Sequence, residues 1–349
     1  MRSSSVALQF LANLFRPGID RIPPRPTFLS LSEERLDCDV YTPRREIDGA
    51  VLMVHGMNVR AHRDPRLMTA CQAMAASGLK VFAPRFPDIG RARIRYESVE
   101  RVVDSILAVS DRVGSPVGVF APSFSAAMSL IASADEAAEN RVSAVFAMGT
   151  YCETHSVIRF LMEDEAAHDY GRLIVLRNFI HRSLDTAEPI EVALDQAIVD
   201  AALRHEDPGH ERLLASLEPS QAQRLGELLF DARVRGRYVG AMLSRDDDRL
   251  LERLSVSAVA SRIRVPVTLL HGSGDDVIPP EESVALCQVL ERHGVDVHLN
   301  VSPLISHGDT QSFWRERQSL IEVVRTFAHF FGHVTRRHTA PPPAVLQAA

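Results

Sequence analysis

The chain has 349 residues, 46% of them hydrophobic and 24% charged, with a formal net charge of -6. This is an ordinary globular composition, long enough for one large domain or two modest ones. An acidic balance with no basic stripe argues against a nucleic-acid partner. The short cluster Arg91, Arg93 and Arg95 reads as a solvated face.

From the amino end, residues 6–15 form an apolar stretch between Arg2 and Arg16. It is too short to span a bilayer, and the lack of a small-x-small cleavage site argues against a signal peptide. Val6, Phe10 and Leu14, with Leu11 and Phe15, share one helical face. Packing onto the body of the protein is the plain expectation; contact with a membrane surface stays open. The Pro-rich residues 17–26 (PGIDRIPPRP) connect this stretch to the rest and cannot sustain a helix or a central strand. Cys38, Cys71, Cys152 and Cys287 are scattered, with no C-x-x-C pair or metal-ligand spacing. They are expected to be buried free thiols in a reducing compartment, and the chain to be soluble and cytoplasmic.

Next, strand-type and helix-type patterns alternate. Residues 50–54, 79–83, 117–120 and 142–148 are short apolar runs; 65–77, 99–109 and 124–133 have helical spacing between them. The alternation stops over 151–261, where helical patterns such as 190–203 and 212–217 dominate. It resumes with strands at 265–270 and 295–301 and helices at 281–293 and 311–331. Such alternation implies right-handed βαβ units and a mostly parallel sheet flanked by helices. The division expected is therefore an N-terminal segment (1–35), an α/β core (36–150 and 262–334), a helical insertion (151–261) and a disordered tail (335–349).

Four segments carry chemistry. In GVFAPSFSAAMSL (118–130) a strand runs directly into a helix with Ser123 at the junction. Ser125 is the rival nucleophile, and the alternative for Ser123 is a serine that merely caps the helix. In LMVHGMN (52–58), His55 and Gly56 end a strand. In VTLLHGSGDDVIPP (267–280) a strand ends in a Gly-rich turn carrying Asp275 and Asp276. Ser306, His307 and Gly308 follow the last strand.

These segments resemble those of the α/β-hydrolase family. Residues 121–125 resemble its nucleophile elbow, G-x-S-x-G, with the small residues Ala121 and Ser125 where the family has glycine. The order serine, aspartate, histidine is also that of the family. The resemblance implies Ser123 as nucleophile, Asp275 as acid with Asp276 as fallback, and His307 as base. It also implies an oxyanion hole from the backbone N–H groups of Met57 and Phe124, and a cap formed by the helical insertion. The expected activity is hydrolysis of a small-molecule carboxylic ester or thioester through an acyl-enzyme, with no cofactor and no metal. Acyl transfer through the same intermediate, or a non-catalytic binding protein, are the alternatives.

Two further motifs lead nowhere. HEDPGH (205–210) departs from the H-E-x-x-H zinc spacing, and its Pro208 and Gly209 would break the helix required. RDDDR (245–249) reads as a solvated turn or helix start.

Overall fold

The computed structural model describes residues 2–15, 22–182, 188–204, 210–245, 249–303 and 317–336. Eight strands form one sheet: β1 (Arg25–Ser30), β2 (Arg35–Tyr41), β3 (Ala50–Met53), β4 (Lys80–Pro84), β5 (Val117–Pro122), β6 (Val142–Met148), β7 (Val267–Gly272) and β8 (Val297–Ser302). Their order is β1-β2-β4-β3-β5-β6-β7-β8. From β4 to β8 all neighbours are parallel, while β1, β2 and β4 pair antiparallel. The mostly parallel, helix-flanked sheet expected from the alternation is present. The β1–β2 hairpin at its edge was not apparent in the sequence. Pro26 lies in β1, an edge strand, where a missing N–H costs little.

Helices α1 (Arg2–Phe15), α2 (Pro65–Ala76), α3 (Pro87–Gly90), α4 (Glu97–Val113) and α5 (Phe124–Ser133) precede or separate the early strands. Local chemistry sets their ends. Asp64 caps α2 by accepting from the Arg66 N–H, and Pro65 occupies its first turn, where its fixed φ suits a helix start. Between β6 and β7 the described residues form helices and no strand. These are α6 (Thr154–Glu163), α7 (Asp169–Phe179), α8 (Glu188–Arg204), α9 (His210–Ala215), α10 (Pro219–Phe230), α11 (Ala232–Leu243) and α12 (Leu250–Arg253), with short 3₁₀ turns. Two long helices, α13 (Pro280–Arg292) and α14 (Arg317–Val334), complete the core.

Side chains alternate across the sheet, as the strand period of two requires. Val51, Met53, Val81 and Ala83 pack on one face with residues of α1, α2 and α14. Leu52, Phe82 and Val119 pack on the other with α4, α5 and α13. The apolar face of α1 is used within the molecule: Val6, Ala7, Phe10 and Leu11 are buried. The Phe10 ring lies 4.8 Å from Phe327 and 5.4 Å from Phe331. Among the described residues no helix is long and apolar enough to cross a membrane. The tail read as disordered lies outside the described residues from 337 onward.

One feature of the strand order locates the site. From β3 the chain moves outward to β4, then returns to form β5 on the other side of β3. The connections leaving β3 and β5 therefore diverge, opening a crevice at the carboxyl ends of these two strands.

Candidate active site

Ser123 lies at that crevice, between β5 and α5. Its backbone has φ 58° and ψ -141°, a region that residues other than glycine rarely occupy, at a cost of order 1–3 kcal/mol. Neighbouring chain holds it there. Its N–H donates to the Met148 carbonyl at 2.6 Å, and its own carbonyl accepts from the Ala126 N–H at 2.9 Å. The hydroxyl does not cap α5, so the capping alternative fails. Ser125, two residues on, is fully buried, and its Oγ donates to the Pro122 carbonyl at 2.7 Å. Ala121 is buried as well. Both replacements for the family's glycines thus fit inside the turn, Ser125 with its hydroxyl already engaged.

The segment after β3 abuts this turn. A Cβ placed on Gly56 would sit 4.0 Å from Ser123 Cβ and 3.6 Å from Pro122 Cγ. Gly56 therefore lets the loop approach the serine. His55 is buried and fixed by two hydrogen bonds: the Phe86 N–H donates to Nε2, and Nδ1 lies 2.9 Å from the Gly56 carbonyl. Since Nε2 accepts, Nδ1 carries the hydrogen and donates it to Gly56. Burial pushes the His55 pKa down to about 4, so the ring is neutral near pH 7 and serves to shape the loop. Met57 is half-buried next to it. Phe124 opens α5, where the first N–H groups have no intrahelical partner and the helix end is electropositive.

Asp275 is buried in the turn after β7. Its Oδ1 accepts from the N–H groups of Val277 and Ile278, each at 2.9 Å. Its Oδ2 lies 3.4 Å from His271 Nε2. His271 is itself buried, with Nε2 2.9 Å from the Ile278 carbonyl and Nδ1 2.6 Å from Ser283 Oγ. The end of β6 closes in from the side, since a Cβ on Gly149 would meet Asp275 Oδ2 at 3.4 Å. Asp276, the fallback acid, is half-exposed, and its carbonyl accepts from the His168 N–H at 2.8 Å.

Ser123, Met148–Gly149 and Asp275 follow the ends of the adjacent strands β5, β6 and β7. The structure therefore brings Ser123, the Gly56–Met57 loop and Asp275 to one edge of the sheet. His307 lies outside the described residues. Ser302, at the end of β8, has a carbonyl that accepts from the Ser273 N–H in the turn carrying Asp275.

A residue of the helical insertion also enters this region. Tyr170 on α7 donates its hydroxyl hydrogen to the Met57 carbonyl at 2.9 Å. Burial raises its pKa to about 12, so the phenol stays a donor. No local pattern could have indicated this contact, which spans more than a hundred residues of chain. Leu161, Met162, Leu173, Val175, Leu176, Phe179 and Ile180 are buried core residues. Arg93, read as solvated, pairs with Asp195 of α8 at 2.8 Å. The four cysteines are buried and free, and burial raises the thiol pKa values, that of Cys38 to about 12.

Comparison with known proteins shows likenesses of fold. Residues 232–338 match the sequence profile of the prolyl oligopeptidase family. An acylaminoacyl peptidase of Pyrococcus horikoshii superposes with a TM-score of 0.55 at 14% identity, covering 94% of this chain and 44% of that one. A puromycin-hydrolyzing peptidase of Mycobacterium tuberculosis gives 0.52 at 16%, covering 91% of this chain and 40% of that one. A hyperthermophilic esterase of the archaeon Pyrobaculum calidifontis gives 0.53 at 13%, covering 96% of this chain and 92% of that one. The chain thus spans less than half the length of the two peptidases. No protein of curated function matches it by sequence. With its parallel sheet, its strand order and these likenesses, the chain has the α/β-hydrolase fold.

Proposed function

We propose that the protein is a serine hydrolase that cleaves a carboxylic ester or thioester through an acyl-enzyme on Ser123. One observation carries this reading. At the carboxyl ends of the paired strands β3 and β5, where their outgoing connections diverge, a non-glycine residue is held at φ 58° and ψ -141° with a side chain that does not cap its helix. Fold stability gives no reason to maintain that strain, whereas presenting a hydroxyl to a substrate does.

In the proposed reaction His307 removes the Ser123 proton as Oγ attacks the acyl carbon. A histidine with a pKa near ~6.5 suits this role at neutral pH. Asp275, its Oδ1 already fixed by two amides, would orient His307 through its other oxygen and stabilise the imidazolium. The Met57 and Phe124 N–H groups would receive the oxyanion. His307 then returns the proton to the leaving alcohol or thiol, and water attacks the acyl-enzyme by the same steps in reverse. Residues 151–261 act as a cap over this crevice, with Tyr170 joining α7 to the oxyanion loop.

The similarity to an esterase over nearly the whole of both chains supports the ester reading. The match of residues 232–338 to the prolyl oligopeptidase family favours a second one, hydrolysis of an amide or peptide bond by the same residues. The four buried free thiols suit a reducing compartment such as the cytoplasm. Steady-state assays with p-nitrophenyl and thioester acyl series, alongside aminoacyl anilides, test the proposal. Turnover of the ester or thioester series, abolished in Ser123→Ala, is expected. Turnover of anilides alone would replace it with the peptidase reading, and turnover unchanged in Ser123→Ala would refute both.

A further inference from the structure

At the end of the sheet away from Ser123, three metal-ligating side chains converge. Asp296 directly precedes β8, so it lies at the amino ends of the parallel strands, and its carbonyl accepts from the Val267 N–H at 2.9 Å. His329 and His333 are four residues apart on α14 and so share one helix face. His329 Nε2 lies 3.3 Å from Asp296 Oδ1, and His333 Nε2 lies 3.2 Å from Asp296 Oδ2. One ligand atom from each residue lies within 4.8 Å of the others.

The rings are held for this arrangement. His329 is mostly buried, at 18% side-chain exposure, and His333 at 11%. The outer nitrogen of His329, Nδ1, is hydrogen-bonded at 2.7 Å with Oγ1 of the fully buried Thr268 on β7. Such a contact on the far nitrogen sets ring orientation in metal-binding histidines. The His298 ring stacks on His329 at 5.5 Å and limits its rotation. Zinc with nitrogen and carboxylate ligands at about 2.0–2.1 Å requires tetrahedral edges of roughly 3.3 Å. Each imidazole nitrogen already lies at about that distance from its own oxygen of the Asp296 carboxylate.

We propose that Asp296, His329 and His333 bind one divalent transition-metal ion of the zinc type, with water in the fourth position. Two neutral imidazoles and a carboxylate suit Zn²⁺ better than Mg²⁺ or Ca²⁺, which prefer all-oxygen sites. The bound ion would tie α14 to the start of β8 and act as a structural clasp, remote from Ser123. Arg336 lies close enough to act electrostatically on Asp296 and His333, and its positive charge opposes the ion.

The test uses the full chain, stripped with chelator and dialysed, then titrated calorimetrically with zinc chloride. Cobalt(II) is added in parallel as a spectroscopic reporter. One equivalent of zinc is expected to bind at micromolar Kd or tighter. It should raise Tm, and cobalt should give the intense visible bands of tetrahedral coordination. Asp296→Asn, whose side chain is exposed and tolerant, and His333→Gln should each weaken binding at least tenfold. Ser123→Ala should bind as the parent does. Two results would overturn the proposal: no zinc binding by a protein that melts normally, or binding undiminished in both ligand variants. The first would leave a hydrogen-bonded cluster only, and the second would place the metal on other histidines.

Discussion

The junction at Ser123 and the turn at Asp275 both follow parallel strands of the same sheet, yet they are built in opposite ways. The serine junction strains its backbone and leaves its hydroxyl off the helix it precedes. The aspartate turn spends its side chain on its own backbone, with two amides donated to one carboxylate oxygen. Under the proposed function, the contrast matches the chemistry each would perform. A nucleophile has to be available, while an acid that orients a histidine has to be charged and immobile. Substitutions at the two places should therefore fail differently.

The largest effect is expected from removal of the proposed nucleophile. Ser123→Ala should lower kcat/KM by at least about 10⁴-fold, measured with the best ester, and leave the melting curve nearly unchanged. Ser123→Gly should be equally inactive but more stable by roughly 1 kcal/mol or more, because glycine adopts this φ without strain. Chemical denaturation of the two variants side by side reads the strain directly.

Asp275→Asn comes next. Loss of the orienting charge in such triads costs about 10⁴ in turnover. Here the turn should also loosen, since the Val277 and Ile278 amides lose a charged acceptor worth about 1.5–3 kcal/mol per bond at most. A variant that kept its activity would transfer the acid role to Asp276.

The loop after β3, on the far side of Ser123 from Asp275, should respond to pH. Burial depresses the His55 pKa to about 4, below the ~6.5 of an unfolded chain. The unfolded state then binds the extra proton, so this contribution is complete above about pH 6.5 and is lost as pH falls toward 4. Its full size is on the order of 3 kcal/mol. Denaturation midpoints of the parent and of His55→Asn, compared from pH 7 to pH 4, should show a shallower pH slope in the variant.

Smaller effects sharpen the comparison. Tyr170→Phe removes one hydrogen bond to the Met57 carbonyl, and should lower kcat by about 2- to 10-fold, with KM for short acyl chains little changed. Ser125→Ala removes a bond inside the elbow itself. It should cost about 1 kcal/mol of stability, visible as a lowered Tm, and change activity less than about twofold. A large loss of activity in Ser125→Ala with the fold intact would move the nucleophile by two residues.

Much of this architecture could be read from the chain. Residues 142–148 and 124–133, expected as strand and helix, coincide with β6 and α5, because apolar runs buried on both faces and punctuated helices carry their periodicity locally. The β1–β2 hairpin escaped notice because an edge strand with Pro26 and alternating exposure lacks that signal. The placement of Ser123 and Asp275 after parallel strands was legible from strand-to-turn motifs, whereas the contact of Tyr170 with the loop after β3 was not. Its role depends on how α7 packs against the loop after β3, and nothing in the residues around it encodes that distance. The cluster of Asp296, His329 and His333 was hidden for the same reason: one member directly precedes a strand and two lie on a helix distant in sequence.

The most direct test of the central claim is labelling with a fluorophosphonate probe, located by peptide mass spectrometry, in the parent, Ser123→Ala and His307→Ala. The account expects an adduct on Ser123 in the parent and none in either variant. An adduct on Ser125, or no adduct on a folded protein whose crevice admits the probe, would contradict it.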